Sequence, residues 1–212
     1  MMTESIRRGN AEILYDQPDG VMVYDRRAQS YMLAAAAENA VHAMIAQITD
    51  PHLLVAHDPM SRACLAERFH FPEILAVRQA AYLKKEIAVP QADIRPLDMR
   101  FHGFIRAHYK SVDDDAYIRR RIEEGEMLGI FQDGALAGFI GTHDEGSLGL
   151  LEILPEYRRR GLAEALERHM TRVHLLRGWV PFAQIENDNL PSQALHKKIG
   201  FTLSEDSLYW FM

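Results

Sequence analysis

Three neighbouring stretches decide the reading of this chain: Leu148-Gly-Leu-Leu-Glu-Ile-Leu-Pro155, then Glu156-Tyr-Arg158-Arg159-Arg160-Gly161-Leu162-Ala163, and Asn189-Leu-Pro-Ser192-Gln-Ala-Leu-His196-Lys-Lys-Ile-Gly200-Phe201. An apolar strand feeds an arginine-rich turn that contains a glycine, and a helix opens directly behind it. Backbone N–H groups at a helix start have no intrahelical partner and carry partial positive charge, so the turn suits a pyrophosphate. Gly161 lets the backbone approach an anion closely, and Ala163 keeps the next turn narrow. The spacing is neither that of the Lys-Ser/Thr phosphate loop nor that of the three-glycine dinucleotide turn.

Arg158-x-x-Gly161-x-Ala163 resembles the CoA-pyrophosphate loop of the GNAT superfamily of N-acyltransferases. Asn189-x-x-Ser192-x-x-Leu195-His196-x-Lys198-x-Gly200-Phe201 resembles that family's second CoA-contacting helix and the strand after it. The resemblance covers about residues 92–212, and the segment Ser192–Phe201 is most similar to the branch that includes glycine N-acyltransferases. It implies acetyl-CoA as cosubstrate, no metal, and a small amine, amino acid or peptide amine as acceptor. Carried over by position, it implies CoA contacts at Ile153, Leu154, Arg158, Arg159, Arg160, Gly161, Leu162, Ala163, Asn189, Ser192 and His196.

Composition excludes several other classes. Hydrophobic residues at 48% and charged ones at 25% match a soluble globular protein, and 212 residues can bury one large core or two small ones. A net charge of −6 argues against a nucleic-acid partner, which needs a basic face. Arg158–Arg160 is better matched to one small polyanion. Cys64 is the lone cysteine, so no intrachain disulfide forms and a reducing, cytoplasmic location is expected for a monomer or homodimer. No signal-peptide h-region follows Ile6-Arg7-Arg8-Gly9, and the run Met32–Ala37 is too short to span a membrane.

From Asp93 onward, strand and helix signals alternate. Asp93–Pro96 reads as a short strand just after a boundary at Pro90. Phe101, Phe104, Ile105 and His108 fall at helical spacing, and Asp113-Asp-Asp115 offers N-caps for a helix that Gly125 ends. Leu128–Phe131 and Leu136–Ile140 flank the hairpin turn Gln132-Asp-Gly134. Leu162, Leu166, Met170 and Val173 mark one helix face, Val180–Ile185 is a strand, and Phe201–Phe211 supplies the final strands. The expected class is α/β (α+β), with a mixed, mostly antiparallel central sheet and flanking helices. That order, βααβββαβαβ, is the order of the acyl-CoA N-acyltransferases.

The N-terminal third echoes this pattern. Leu53–Asp58 followed by Ser61–Phe71 resembles Phe182–Asp188 followed by Ser192–Phe201, with Phe71 set on Phe201 at an offset of about 130. Val41, Met44, Ile45 and Ile48 supply a helical stripe upstream. Residues 1–90 therefore read as a degenerate half-copy ahead of a catalytic domain at 91–212, with burial of Leu65, Phe69 and Phe71 expected to match that of Leu195, Ile199 and Phe201. The half-copy has no Arg-x-x-Gly-x-Ala loop, and His70 stands where Gly200 would be, so no CoA is expected there. Two unrelated strand–helix–strand units are the alternative.

Acyl transfer from a thioester to an amine needs an unprotonated amine, a donor for the developing oxyanion, and a proton for the departing thiolate. The resemblance assigns the oxyanion donor to the backbone of the strand Leu148–Pro155, at Leu151 and Ile153. The family has tyrosine four residues before the Gly-Phe pair, and this chain has His196. Imidazole, with an ordinary pKa of about 6.5, is a mismatched acid for a thiolate of pKa about 8.5. Glu152, between two apolar neighbours, is either the general base or the partner of an arginine from a flanking element. Glu186, Asp188 and, more weakly, His143 are further base candidates. Arg119-Arg-Arg121 beside Glu123 and Glu124 reads as a solvated, internally paired helix face, and no spacing reads as a metal site. The leading expectation is direct attack of a primary amine on acetyl-CoA; the alternative is a CoA-binding regulatory module that is catalytically weak or inactive.

Overall fold

Strand pairing, rather than chain order, sets the architecture. The computed structural model describes residues 1–111 and 114–212. The elements are α1 (Met2–Arg7), β1 (Ala11–Gln17), β2 (Gly20–Asp25), β3 (Ser30–Ala35), α2 (Glu38–Ile45), β4 (Leu54–Ala56), α3 (Pro59–Arg68), β5 (Ile74–Ala81), β6 (Asp93–Pro96), α4 (His102–His108), α5 (Asp115–Glu123), β7 (Met127–Gln132), β8 (Ala135–Thr142), β9 (Leu148–Ile153), α6 (Leu162–Leu176), β10 (Phe182–Glu186), α7 (Leu190–Ile199) and β11 (Thr202–Phe211). From β6 onward this is the expected order, except that Thr202–Phe211 is one strand and not several. The class is the expected mixed α/β one.

Two compact units result, one of Met1–Ala81, Gln184–Lys197 and Thr202–Met212, the other of Tyr82–Ala183 and Lys198–Phe201. They are not the contiguous blocks 1–90 and 91–212. The physical reason is β11, which pairs antiparallel with β4 through Tyr209↔Ala56 and with β5 through Leu208↔Val77, both within the first unit. In that unit the strand order is β1-β2-β3-β4-β11-β5, with β3 and β4 parallel through Tyr31↔Leu54, Met32↔Val55 and Leu33↔Ala56. Met22, Leu33, Val41, Met44, Leu54, Leu65 and Phe211 form its core at 0% exposure. Asp58 caps α3, accepting from Ser61 N at 2.6 Å, while its other oxygen accepts from Ala35 N at 2.9 Å.

In the second unit β6, β7, β8 and β9 run antiparallel in that order. Asp133 and Gly134, with φ of 50° and 81°, make the β7–β8 turn. Ile105 of α4 and Ile118 and Ile122 of α5 bury against Met127, Phe139 and Leu150, each such side chain contributing about 1.5–3 kcal/mol by leaving water. α5 is capped by Asp114, which accepts from Tyr117 N at 3.0 Å; Asp113 lies outside the described residues. The reading of Arg119–Arg121 as a solvated face is corrected at Arg121, which is 1% exposed. Helical period puts it on the side of Ile118 and Ile122, and Asp144 at 2.9 Å supplies the counter-charge.

The run β7–β8–β9–α6–β10–α7–β11 repeats the order β1–β2–β3–α2–β4–α3–β5. Burial does not follow the offset of 130: Leu65 is buried and Leu195 half-buried, while Phe69 and Phe71 are half-buried and Ile199 and Phe201 buried.

Candidate functional site

β9 is irregular where the chemistry was expected. Its register against β8 runs Ile153↔Gly138 and Glu152↔Phe139, then Gly149↔Gly141, so two residues of β9, Leu150 and Leu151, face Ile140 alone. Leu150 takes the left-handed φ of 51°, which a leucine adopts only under constraint, and the result is a bulge. On its other side β9 pairs with β10 at Leu148↔Ala183. Leu154 N–H donates to Ala137 O at 3.0 Å, toward β8, whereas Ile153 O accepts from Arg158 Nε at 2.9 Å. Strand alternation then turns the backbone groups of Leu151 and Ile153 to the edge away from β8. Both expected oxyanion-donor positions lie along that edge.

Beyond β9 the chain makes a short 3₁₀ turn at Pro155–Tyr157 and a loop exposed from Arg158 to Gly161. Arg159 and Gly161 have φ of 63° and 79°. Gly161 is the N-cap of α6, whose start has no side-chain cap, and the first helical bond is Ala165 N to Gly161 O at 3.1 Å. The N–H groups of Leu162, Ala163 and Glu164 precede that bond and point out of the helix end. A side chain built at Gly161 would meet no protein atom within 4 Å, so the space above the turn is open. Arg158 and Arg160 are held locally: Arg158 pairs with Glu152 at 3.0 Å, and Arg160 donates to Glu156 O at 2.9 Å. Glu152 thus has the flanking arginine partner that its apolar neighbours called for.

Glu164, in the first turn of α6, would repel an anion there. Lys198 at 2.6 Å and Arg168 at 3.0 Å neutralise it, and the Lys198 contact, with Arg168 second, holds its carboxyl below the usual range. Ala88–Ala92, Gln132, Arg160–Leu162, Ala165 and Arg168 line a cleft of about 650 Å³ beside this helix start.

On α7, Asn189 Oδ1 accepts from Ser192 N at 3.1 Å, which is a cap interaction. His196 is 2% exposed, and its Nδ1 donates to Ser192 O at 2.9 Å. A carbonyl only accepts, so in the neutral ring the hydrogen is on Nδ1. Among the described residues one group could share a cation: Glu38, His42 and Cys64, with ligand atoms within 4.8 Å. Their spacing did not signal it, because Cys64 comes from the facing helix α3. It consists of an exposed Glu38–His42 pair at 3.6 Å beside a buried thiol. One contact had no sequence signal: His143 Nδ1 lies 2.6 Å from Tyr117 Oη across 26 positions of chain. No local pattern links a hairpin tip to α5.

A family model described as FR47-like protein matches residues 127–211, the span of β7 through β11. Solved structures match nearly the whole chain. This chain has the fold of the GNAT acetyltransferases. A putative acetyltransferase of the GNAT family from Novosphingobium aromaticivorans is similar at 18% identity, over 97% of this chain and 91% of that one, with a TM-score of 0.62. A GCN5-related N-acetyltransferase-like protein from Streptococcus suis is similar at 18% identity, over 100% and 99%, with a TM-score of 0.56. A Drosophila protein is similar at 20% identity, over 91% and 74%, with a TM-score of 0.72. No curated protein sequence matches significantly. Among the described residues, no helix of this GNAT-fold chain is long and apolar enough to cross a membrane.

Proposed function

We propose that the chain is an acyl-CoA-dependent N-acyltransferase that moves an acetyl group from acetyl-CoA to a primary amine by direct attack. The observation that carries this reading is the uncapped start of α6, set behind the positive-φ turn of Arg159 and Gly161 and following the bulged strand β9. Unpaired N–H groups there suit a pyrophosphate. Neutralisation of Glu164 by Lys198 and Arg168 removes the one acidic side chain of that turn from competition.

In this reading Arg158–Ala163 receives the pyrophosphate, Ile153 and Leu154 run beside the pantetheine, and Leu151 N–H serves the oxyanion. Asn189, Ser192 and His196 take their CoA role from the resemblance of α7 to the family's second contacting helix. The segment 1–90 is a degenerate copy without CoA. Its repeated element order supports this, and so does the connection Ala36–Ala37 between β3 and α2, too short for a phosphate loop. A buried free Cys64 supports a reducing, cytoplasmic setting. An amino acid acceptor of the glycine N-acyltransferase kind is the finer form of the proposal.

A second reading, a CoA-binding module with little or no catalysis, draws on Glu152 being engaged by Arg158. Thiol release from acetyl-CoA across a panel of primary amines decides between them. Amine-stimulated release supports transfer; CoA affinity by calorimetry without such release supports the binder.

A further inference from the structure

His143 closes the hairpin between β8 and β9, where its N–H donates to Ser147 O and its carbonyl accepts from Gly146 N, each at 2.9 Å. This fixes its backbone. Its ring is half-buried, and Tyr117 of α5 fixes it from one side, with Oη 2.6 Å from Nδ1 and the rings stacked at an interplanar angle of 26°. Burial raises the Tyr117 phenol, which keeps its proton. On its other side the ring lies against Gly149: a Cβ there would sit 2.3 Å from Nε2. The imidazole therefore occupies the space that a side chain of β9 would take. Gly149 directly precedes Leu150, the left-handed residue of the bulge.

The surrounding charged and titratable groups are already engaged. Asp144 is paired with Arg120 and Arg121, Glu145 accepts from Ser147 Oγ, and Arg120 and Arg121 lie over the Tyr117 ring at 5.5 Å and 6.0 Å. Tyr109 is the remaining titratable neighbour of Tyr117. Glu152, the alternative base on β9, is taken by Arg158. His143 Nε2 is the ring nitrogen turned toward β9 next to the bulge.

We propose that His143 is the general base of the transfer and that Tyr117 is its positioning residue; the proposal rests on the acyltransferase reading. This role requires the tautomer in which Nδ1–H donates to Tyr117 Oη, the phenol oxygen accepting while it keeps its own hydrogen, so that the Nε2 lone pair faces the strand. Nε2 takes a proton from the acceptor's ammonium. The freed nitrogen forms the N–C bond at the thioester carbon, and the C–S bond breaks with its electron pair on sulfur. A second N–H proton goes to the thiolate, and the proton on His143 passes to water. The balance is one ammonium and one thioester giving one amide, one thiol and one proton.

The test compares wild type with His143→Ala, His143→Gln and Tyr117→Phe, using acetyl-CoA with ethanolamine, glycine, spermidine and a tripeptide amine, and with methoxyamine, which is unprotonated at neutral pH. Thermal melts and CoA calorimetry establish that each variant folds and binds. His143→Ala should lower kcat for the alkylamines by about 10²–10³-fold and remove the acid limb of kcat/KM, because a general base contributes roughly 10²–10⁴-fold. CoA affinity should stay within about threefold, and methoxyamine turnover should fall far less. Tyr117→Phe should shift the acid limb while retaining more activity than His143→Ala. Independently of turnover, nitrogen NMR of the neutral imidazole should show the hydrogen on Nδ1. Alkylamine turnover that is unchanged in both His143 variants overturns the base assignment alone, as does a hydrogen on Nε2. A wild type that binds CoA but acetylates none of these amines overturns the transfer reading and the base assignment together.

Discussion

Arg158 folds back onto the strand it follows: its guanidinium reaches Glu152 Oε1 at 3.0 Å and the Ile153 carbonyl at 2.9 Å. The arginine that opens the CoA-loop motif thereby fixes the loop's exit from β9 and occupies the carboxylate that a base on that strand would need. While this contact holds, the Glu152 carboxylate faces the Arg158 guanidinium and not an acceptor amine.

Glu152→Gln should therefore be mild. The Arg158 side chain is 56% exposed, so the pair is worth about 1 kcal/mol or less. We expect CoA affinity within about threefold of wild type and an acid limb of the rate profile that keeps its position. Calorimetry and a pH–rate series check this, and loss of the acid limb would return the base to Glu152.

Gly161→Val should abolish measurable CoA binding. No protein atom lies within 4 Å of the new Cβ, so the clash is with the phosphates alone. The φ of 79° adds backbone strain of about 1–2 kcal/mol, which should lower the melting temperature without unfolding the chain. Wild-type affinity in a folded variant would refute the placement.

His196 should be helpful and not essential. Its Nδ1 hydrogen is given to Ser192 O, so the neutral ring has no second proton for a thiolate. His196→Ala should lower kcat by tens-fold at most, and His196→Tyr should retain or raise activity, since general acid catalysis contributes up to roughly 10²–10⁴-fold. Superimposable pH profiles for all three proteins would mark it as a bystander.

Asp58→Ala should separate stability from ligand binding. Asp58 accepts from Ser61 N, Ser61 Oγ and Ala35 N, and losing a helix cap together with a half-buried acceptor costs about 1–3 kcal/mol. CoA affinity should not change, because the segment 1–90 is proposed to hold none. Denaturant melts and calorimetry read the two effects separately, and a parallel loss of CoA binding would contradict the CoA-free assignment.

His57 should make stability fall on mild acidification. Burial lowers its pKa from 6.5 to about 4. Its Nδ1 donates to Leu33 O at 3.2 Å, and its Nε2 is buried without a hydrogen-bond partner among the described residues. Between pH 6.5 and 4 the unfolded chain binds this proton and the folded chain does not, so stability drops as pH falls, by up to about 3–3.5 kcal/mol. His57→Gln should flatten that slope in denaturant titrations, and an unchanged slope would assign it to other groups.

Much of the second unit is legible from local pattern. The Asp133-Gly134 turn, the continuous apolar run of β9, the glycine before α6 and the order of elements from β6 to β11 all follow from turn chemistry and from periods of two and 3.6 residues. These signals act between near neighbours, so amino-acid order alone determined them, together with the phosphate-loop motif and the existence of an echo in residues 53–71. Tertiary packing decided the rest. Leucine has no intrinsic preference for positive φ, so the Leu150 bulge exists because β8 and β9 pair out of step. Arg121 is buried because Asp144 arrives from a hairpin across the fold. β11 groups with the N-terminal strands because β4 and β5 offer it backbone partners, which composition does not encode. His143 meets Tyr117 for the same reason: contacts between distant positions are chosen by which surfaces can be buried and which hydrogen bonds completed, and only the folded chain brings those surfaces together.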